Sequence, residues 1–282
     1  MITVIAGPTA SGKTALAIST ALEIGAEIVN ADSQQVYRHF DIGTAKPSAE
    51  QLALVPHHVI SCIDPLADFS AAQYQRLADA AIADIVSRGR KVVVVGGTGM
   101  YVRILLHGVV DAPGSNSALR AELEKHESSE LHARLVVVDP VTAARLPVAD
   151  RVRIIRALEI HQLTGVAASV HRAAHAFAPE RYEHQLLVLN PDREKLYERI
   201  NERTRRMFEV EGLLEETQRL VDQGYRESAP MRSVGYTQAL ACLDGQMSRA
   251  EAISDTAMKT RHYAKRQFTW FKKERGASLS PP

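Results

Sequence analysis

The amino-acid sequence predicts an α/β fold, with a parallel sheet flanked by helices and interrupted by a helical insertion domain. Apolar runs alternate with helical patterns over the first hundred residues, which is typical of parallel strands joined by right-handed crossovers. The run from Lys91 to Val95 is almost entirely valine, as expected of a strand buried on both faces. After about residue 111 the spacing becomes mainly helical, which predicts the insertion.

The elements of the core follow in chain order. We predict strands at Ile2–Ala6, Glu27–Ala31 and Lys91–Val95, and helices at Lys13–Ile24 and Ala71–Ser87. Gly96 and Gly97 end the third of these strands. Because ligands of open α/β sheets bind beyond the carboxyl ends of the strands, we expect the functional site there.

The second half of the chain predicts the remaining domain boundaries. Residues 112–184 form the insertion, with an amphipathic helix at Arg151–Glu159, and residues 1–111 and 185–282 form the core. The strand-like run Gln185–Leu189 returns the chain to the sheet.

Two long helices are expected to finish the chain. Asp192 is the expected N-cap of a helix that continues toward Gly224. Ser248 and Glu251 predict a capping box at the start of the last helix. The segment from Gly276 to Pro282 reads as a short low-complexity tail.

The composition narrows the class of protein. Hydrophobic residues make up 45% and charged residues 24%, and 34 Lys+Arg against 33 Asp+Glu leave a net charge of +1. This balance excludes binding of polyanions through bulk charge, but it leaves a local basic groove open. The two cysteines, Cys62 and Cys242, form no metal-ligand pattern and predict a reducing compartment. Without a signal peptide or an apolar run of ~20 residues, we expect a cytoplasmic protein that does not enter a membrane.

A phosphate-binding motif lies between the first strand and the first helix. It is a P-loop pattern, which makes the predicted core P-loop NTPase-like, and its residues are Gly7, Pro8, Thr9, Ala10, Ser11, Gly12, Lys13 and Thr14. Glycines let backbone N–H groups turn inward around phosphate oxygens, and Lys13 adds a cation. The Thr14 hydroxyl is the expected ligand of Mg²⁺.

The acid that usually accompanies a P-loop is missing from its usual place. Nucleoside triphosphatases carry an Asp at the end of a strand, where it supports Mg²⁺. Here Val92–Val95 runs into Gly-Gly-Thr-Gly at 96–99, which counts against an NTPase or a GTP switch, although the motif alone is compatible with ATP. Asp32, at the end of the second strand, can face the phosphate site or simply cap its turn.

A family resemblance extends over nearly the whole chain. The stretches that carry it are, in order, residues 7–14, 32–38 (Asp-Ser-Gln-Gln-Val-Tyr-Arg), 41–47 (Asp-Ile-Gly-Thr-Ala-Lys-Pro), 56–58, 64–65, 96–101 (Gly-Gly-Thr-Gly-Met-Tyr), 156–159 (Arg-Ala-Leu-Glu), 233–236 (Ser-Val-Gly-Tyr) and 264–270 (Ala-Lys-Arg-Gln-Phe-Thr-Trp). This ordered set resembles the tRNA dimethylallyltransferases, also called tRNA isopentenyltransferases.

The resemblance implies a reaction. A dimethylallyl group would pass from dimethylallyl diphosphate to N6 of the adenosine 3′-adjacent to the anticodon of a tRNA, and diphosphate would leave. An exocyclic adenine amine is a poor nucleophile, so Asp32 is the candidate that accepts its proton. Lys13, Mg²⁺ at Thr14 and backbone N–H groups would neutralise the diphosphate. The family pattern places Thr9 beside the same diphosphate and Arg203 near the reaction centre.

The resemblance also implies a tRNA interface, and we expect the protein to be a monomer. The target base would have to leave its stack to reach the site. The positions that match tRNA or substrate contacts of the family are Asp32, Ser33, Gln34, Gln35, Thr98, Arg120, Val152, Arg153, Ile154, Ile155, Arg156, Arg232, Ser233, Val234, Gly235, Tyr236 and Thr237. Basic stripes on the last helices, among them Arg261, Lys265 and Lys272, are either part of this groove or a solvated surface.

Three other classes share parts of this pattern. An enzyme that prenylates free AMP, ADP or ATP would need the P-loop and Asp32, but neither the insertion nor the basic last helix. A small-molecule P-loop kinase would use Asp32 to bind an acceptor hydroxyl. A non-catalytic RNA-binding module would need only the basic surface. The insertion and the basic helix favour tRNA.

Overall fold

The structure is a computed structural model described over residues 1–175, 180–274 and 277–280. The chain divides into two compact units, a core unit of residues 1–106 and 181–282 and an insertion unit of residues 107–180. The sequence placed the insertion at residues 112–184. None of the described helices is long and apolar enough to cross a membrane.

A parallel sheet forms the centre of the core unit. Within the described residues its strands are β1 (Ile2–Ala6), β2 (Ala26–Asn30), β3 (His57–His58), β4 (Lys91–Gly96), β5 (His184–Leu189) and β6 (Ala277–Ser280). Their order is β3–β2–β4–β1–β5–β6, and every adjacent pair is parallel. In the register of the sheet, Val4 of β1 lies between Val94 of β4 and Leu186 of β5.

The helices are, in chain order, α1 (Lys13–Ile24), α2 (Ala49–Leu54), α3 (Ala71–Ser87), α4 (Gly99–His107), α5 (Ser117–Leu123), α6 (Ser128–Val138), α7 (Pro140–Ala143), α8 (Arg151–Thr164), α9 (Ala168–His175), α10 (Arg193–Glu209), α11 (Leu213–Asp222), α12 (Tyr236–Leu243) and α13 (Arg249–Phe271). Helices α5 to α9 belong to the insertion unit. A short 3₁₀ turn at Pro230–Arg232 precedes α12.

The valine run of β4 has the structure that its sequence predicts. Val94 joins a buried cluster with Tyr74 of α3, whereas Val93 joins a second cluster with Ala17 of α1. Because successive strand residues point to opposite faces, the two clusters lie on the two sides of the sheet. Both faces of the strand are therefore buried, which is why no polar residue interrupts the run.

Two predictions about the end of the chain are wrong. The single helix expected between Asp192 and Gly224 is two helices, because Gly212 adopts a left-handed conformation (φ 81°) and caps the start of α11. The tail expected from Gly276 to Pro282 contains a strand, β6, that pairs with β5 at the edge of the sheet. Residues 276, 281 and 282 of that tail lie outside the described residues.

The insertion unit has a small core of its own. Leu131 and Leu135 of α6 pack with Ile154 and Leu158 of α8 in one buried cluster. Helix α8 continues beyond the predicted Glu159 and ends at Gly165, whose left-handed conformation (φ 72°) stops it.

Candidate functional site

A cavity of about 340 Å³ opens where β1, β2 and β4 end. It is the place that the α/β topology predicts for a ligand. The predicted site residues that line it come from the P-loop, the end of β2 and α10, and they are Thr9, Ala10, Ser11, Gly12, Lys13, Thr14, Asp32, Gln35 and Arg203. Gly7 and Pro8 complete the turn but do not line the cavity.

The P-loop backbone adopts conformations that favour glycine. Gly7 has φ 143°, and a Cβ atom there would lie 2.9 Å from the carbonyl oxygen of Leu189. Gly12 (φ 91°) caps the start of α1, so the first N–H groups of that helix lack partners within the helix. Free N–H groups and the helix dipole together form an anion site at this edge of the cavity.

Lys13 supplies the cation of this anion site. Its Nζ donates to the carbonyl oxygen of Pro8 at 2.7 Å, so the amine is held against the loop. Burial, together with the nearby Arg203 guanidinium, lowers the pKa of Lys13 to about 8, although the Asp32 carboxylate acts to raise it. The amine therefore loses its proton far more easily than an exposed lysine.

Arg203 is attached to the P-loop through Thr9. Its Nη2 donates to Thr9 Oγ1 at 2.8 Å, and the backbone N–H of Thr9 donates to Gln267 Oε1 at 2.8 Å. Gln267 Nε2 in turn donates to the carbonyl oxygen of Gly97 at 2.8 Å. Buried Gln267 thus joins the P-loop to the end of β4. It lies in the 264–270 motif, and the sequence alone assigned it no role.

Two buried polar atoms of the cavity-lining residues have no hydrogen-bond partner among the described residues. They are the hydroxyl oxygen of Ser11 and Nε of Arg203. Burial lowers the pKa of Arg203, while the charge of Asp32 raises it. Because buried polar groups are nearly always paired in folded proteins, such atoms indicate donors kept ready for a ligand.

Asp32 both caps its turn and faces the site. Its Oδ1 accepts hydrogen bonds from the backbone N–H groups of Gln34 at 2.8 Å and Gln35 at 3.3 Å. Its charge also acts on Lys13 and Arg203 across the cavity. Among the described residues Oδ2 has no hydrogen-bond partner, which leaves one carboxylate oxygen for a substrate.

The turn after β2 is attached to the end of β4. Thr98 Oγ1 accepts from the backbone N–H of Ser33 at 3.0 Å, and the N–H of Thr98 donates to the carbonyl oxygen of Ala31 at 3.2 Å. A Cβ at Gly96 would lie 2.1 Å from that same oxygen, so the two strand ends touch. Thr98 and Ser33 thus lie together, next to Asp32.

The predicted contact segment 232–237 is only partly accessible. Arg232 and Thr237 are exposed, and Ser233 and Val234 are half-buried. Tyr236 is fully buried: its hydroxyl donates to the Glu216 carboxylate and accepts from the N–H of Gly43 at 3.2 Å. The ring and hydroxyl of Tyr236 thus belong to the core, and contact of this position with tRNA stays a prediction.

The predicted contacts of the insertion unit also divide by burial. Arg120 Nε and Nη2 donate to Glu159 at 2.9 and 3.0 Å, and Arg156 donates to the same buried carboxylate. Although burial acts to raise the pKa of Glu159, these hydrogen bonds and one from the N–H of Asn116 hold it below its usual range. Arg120 and Arg156 thus form ion pairs with Glu159 inside the insertion unit.

Two more residues of α8 are unsuitable for direct contact. Ile154 and Ile155 are buried in the core of the insertion unit, so their side chains cannot reach an RNA surface. Val152, 81% exposed, and Arg153, paired with Asp150 at 3.2 Å, face the solvent. Of the five predicted contact residues of this helix, only Val152 and Arg153 are exposed.

Comparison with known proteins places the chain in a family. A model of the IPP transferases matches residues 35–274. The chain belongs to this family. A tRNA dimethylallyltransferase of Myxococcus xanthus is 64% identical over 100% of this chain and 93% of its own length. A second relative, tRNA dimethylallyltransferase 1 of Citrifermentans bemidjiense, is 50% identical over 97% of this chain and 89% of its own length.

Solved structures agree with this assignment. The full-length tRNA isopentenylpyrophosphate transferase of Bacillus halodurans has a TM-score of 0.73 at 38% identity, covering 99% of this chain and 89% of that one. A eukaryotic dimethylallyltransferase acting on tRNA has a TM-score of 0.84 at 28% identity, covering 99% and 73%. The P-loop NTPase-like fold predicted from the sequence is confirmed.

Proposed function

We propose that this protein transfers the dimethylallyl group of dimethylallyl diphosphate to N6 of the adenosine 3′-adjacent to the anticodon in tRNA. The observation that carries the proposal is one cavity in which a phosphate cradle with two cations, Lys13 and Arg203, faces the carboxylate of Asp32. The reaction needs groups that stabilise the negative charge of the leaving diphosphate and a group that accepts the proton of the amine.

The P-loop side of the cavity binds the diphosphate of the donor. Backbone N–H groups at the start of α1, Lys13 and Arg203 surround the position where negative charge increases as the C–O bond breaks. Nη2 of Arg203 donates to Thr9 Oγ1 at 2.8 Å, which fixes the direction of the guanidinium. The Ser11 hydroxyl and Nε of Arg203, which have no partner among the described residues, gain hydrogen-bond partners when dimethylallyl diphosphate binds.

A magnesium ion fits the oxygen donors at this end of the cavity. Among the described residues, no group of three His, Cys, Asp or Glu side chains is placed to hold a metal. The hydroxyls of Thr14 and Ser11 line the cavity, and Mg²⁺ is often held by few protein ligands together with substrate phosphates and water. Thr14 would hold the ion, which supplies further neutralisation of the diphosphate when bound.

The Asp32 side of the cavity receives the adenosine. In the transfer, the lone pair of N6 forms the new bond to C1 of the dimethylallyl group, and the C1–O bond breaks with its electron pair leaving on the diphosphate. The N6 proton passes to Oδ2 of Asp32, while Oδ1 stays bound to the turn. The turn thereby orients the carboxylate that completes the reaction.

The base must leave its stack in the anticodon loop to enter this cavity. Ser33, Gln34 and Thr98 lie around its Asp32 end, and we propose that they contact the extruded nucleotide. Further contacts are proposed for the accessible members of the predicted set, which are Val152, Arg153, Arg232 and Thr237. We further propose a monomeric enzyme of the cytoplasm, where a reducing environment is compatible with the two free thiols, Cys62 and Cys242.

The experiment incubates the protein with labelled dimethylallyl diphosphate, separately with total tRNA, with AMP and with no acceptor. We expect label in tRNA and none in AMP, with no requirement for ATP. Label in AMP alone would replace the proposal with a free-nucleotide prenyltransferase. ATP hydrolysis stimulated by tRNA, without transfer of label, would replace it with an ATPase or kinase.

A further inference from the structure

A second cavity, of about 360 Å³, lies between the start of α10 and the end of α13. We refer to it as the α10–α13 groove, and its polar and aromatic lining consists chiefly of Arg193, Tyr197, Lys265, Phe268 and Lys272. The reaction described above uses none of these side chains. The volume is within the range of small-ligand sites.

The charge of the groove is positive. Arg193, Lys265 and Lys272 are exposed, and no carboxylate of the described residues lies within 4.0 Å of any of them. No Asp or Glu is among the lining residues. Asp192, next to Arg193 in the chain, accepts the N–H groups of Glu194 and Lys195 and caps α10. Nε of Arg193 donates to the Tyr197 hydroxyl at 3.0 Å. The groove therefore presents cations that no described carboxylate neutralises, which suits an anionic ligand.

Two of the three cations lie over the faces of aromatic rings. The guanidinium of Arg193 lies 5.2 Å from the ring centroid of Tyr197, and Nζ of Lys272 lies 6.0 Å from that of Phe268. Both rings are half-buried, so each is held by packing and still partly accessible. Proteins bind single-stranded nucleic acid with aromatic rings, on which bases stack, and with nearby cations, which bind the phosphates.

The groove adjoins the P-loop. Tyr197, Phe268 and Ala10 of the P-loop all pack against one small buried cluster, which consists of Leu196, Ile200 and Ala264. Phe268 directly follows Gln267, which lines the catalytic cavity and holds Thr9. The same two helices thus carry residues of both cavities.

We propose that the α10–α13 groove binds one unstacked nucleotide of the tRNA, close in sequence to the adenosine that enters the catalytic cavity. Its base stacks on Phe268 or Tyr197, and its phosphate is held by Lys265, Lys272 and Arg193. This inference rests on the proposed function, because it takes tRNA as the acceptor. It adds a second anchoring point for the RNA strand beside the reacting base.

The test measures binding of a labelled anticodon stem-loop RNA by fluorescence anisotropy. Phe268→Leu keeps apolar volume but loses the ring, and we expect roughly 5- to 150-fold weaker binding. Lys272→Gln, a surface change that does not disturb packing, should lower the slope of log affinity against log salt by about 0.7 to 0.9. Lys91→Gln is the matched control, because Lys91 is an exposed lysine at the amino end of β4, away from the carboxyl ends.

A second arm locates the bound base. Loop nucleotides are replaced one at a time by abasic residues, and each RNA is measured with the wild type and with Phe268→Leu. We expect one abasic position near the target adenosine whose effect disappears in Phe268→Leu, since the two changes remove the same contact. Additive effects at every position would overturn the stacking role of Phe268.

The inference and the proposed function fail in different ways. If Phe268→Leu and Lys272→Gln both bind RNA as Lys91→Gln does, while the wild type still prenylates tRNA, the groove does not bind the acceptor. If the wild type transfers no dimethylallyl group to tRNA but the groove variants still weaken RNA binding, the proposed reaction falls and the nucleotide site stands.

Discussion

Arg203 of the core unit and Arg120 of the insertion unit were both predicted as substrate contacts, and the structure gives them opposite surroundings. Arg120 donates twice to the buried carboxylate of Glu159, so its charge is neutralised within the insertion unit. Arg203 donates to a neutral hydroxyl and lines a cavity, and its buried Nε has no hydrogen-bond partner in the part of the chain that the structure describes. A paired guanidinium contributes to stability, whereas an incompletely paired one beside a cavity is available to a ligand.

The largest effect is expected at Asp32. Asp32→Asn keeps the hydrogen-bonded turn but removes the proton acceptor, so single-turnover transfer should slow by about 10²–10⁴-fold, or ~3–5 kcal/mol of barrier. Binding of donor and tRNA, titrated separately, should change much less. A rate within a few-fold of the wild type would mean that Asp32 only caps its turn. A parallel collapse of donor binding would instead indicate a carboxylate that supports Mg²⁺.

The next largest effect separates the two arginines directly. Arg203→Met should slow single-turnover transfer by about 10²–10³-fold, because it removes a donor aimed at the developing charge of the diphosphate. Arg199→Met, an exposed residue one turn earlier on α10, is the control and should leave the rate unchanged. Equal rates for the two variants would remove Arg203 from the reaction.

Arg120→Met should leave the rate of transfer per folded molecule unchanged and weaken the insertion unit. Loss of one of the two arginines on a fully buried carboxylate costs about 1–3 kcal/mol. We expect faster amide hydrogen exchange in α8, and partial recovery in Arg120→Lys, which restores the charge without the two-pronged geometry. Weaker tRNA binding with unchanged exchange would instead restore Arg120 as a tRNA contact.

The smallest effect concerns pH. The pKa of Lys13 is about 8 because burial disfavours its charge, so the ammonium is present below that pH and is lost above it. Affinity for dimethylallyl diphosphate should therefore be highest below pH 8 and fall by up to about tenfold per pH unit above it. Lys13→Met should bind more weakly with a flat profile over the same range. The same fall in Lys13→Met would assign the titration to another group.

The sequence by itself determined much of the core. The bounds of β1, α1 and α3 follow from local periodicity, and those of β2 and β4 follow to within one residue, whereas α2 and β3 were not predicted. The P-loop could be predicted from the backbone freedom of its glycines. The family membership was likewise confirmed, because ordered motifs cover nearly the whole chain. The break at Gly212 was missed because one glycine in a helical pattern is compatible with either continuation or a stop.

Only the tertiary structure decided which of the predicted residues are available to a substrate. Motif letters do not show burial: Tyr236 lies in a motif, yet its hydroxyl is bound to Glu216 inside the core. Gln267 had no assigned role in the sequence, yet it bridges Thr9 and Gly97, residues more than 160 positions away. Short strands such as β6 likewise depend on a partner strand for their hydrogen bonds. Local pattern fixes secondary structure, whereas pairing and burial arise from contacts between distant residues.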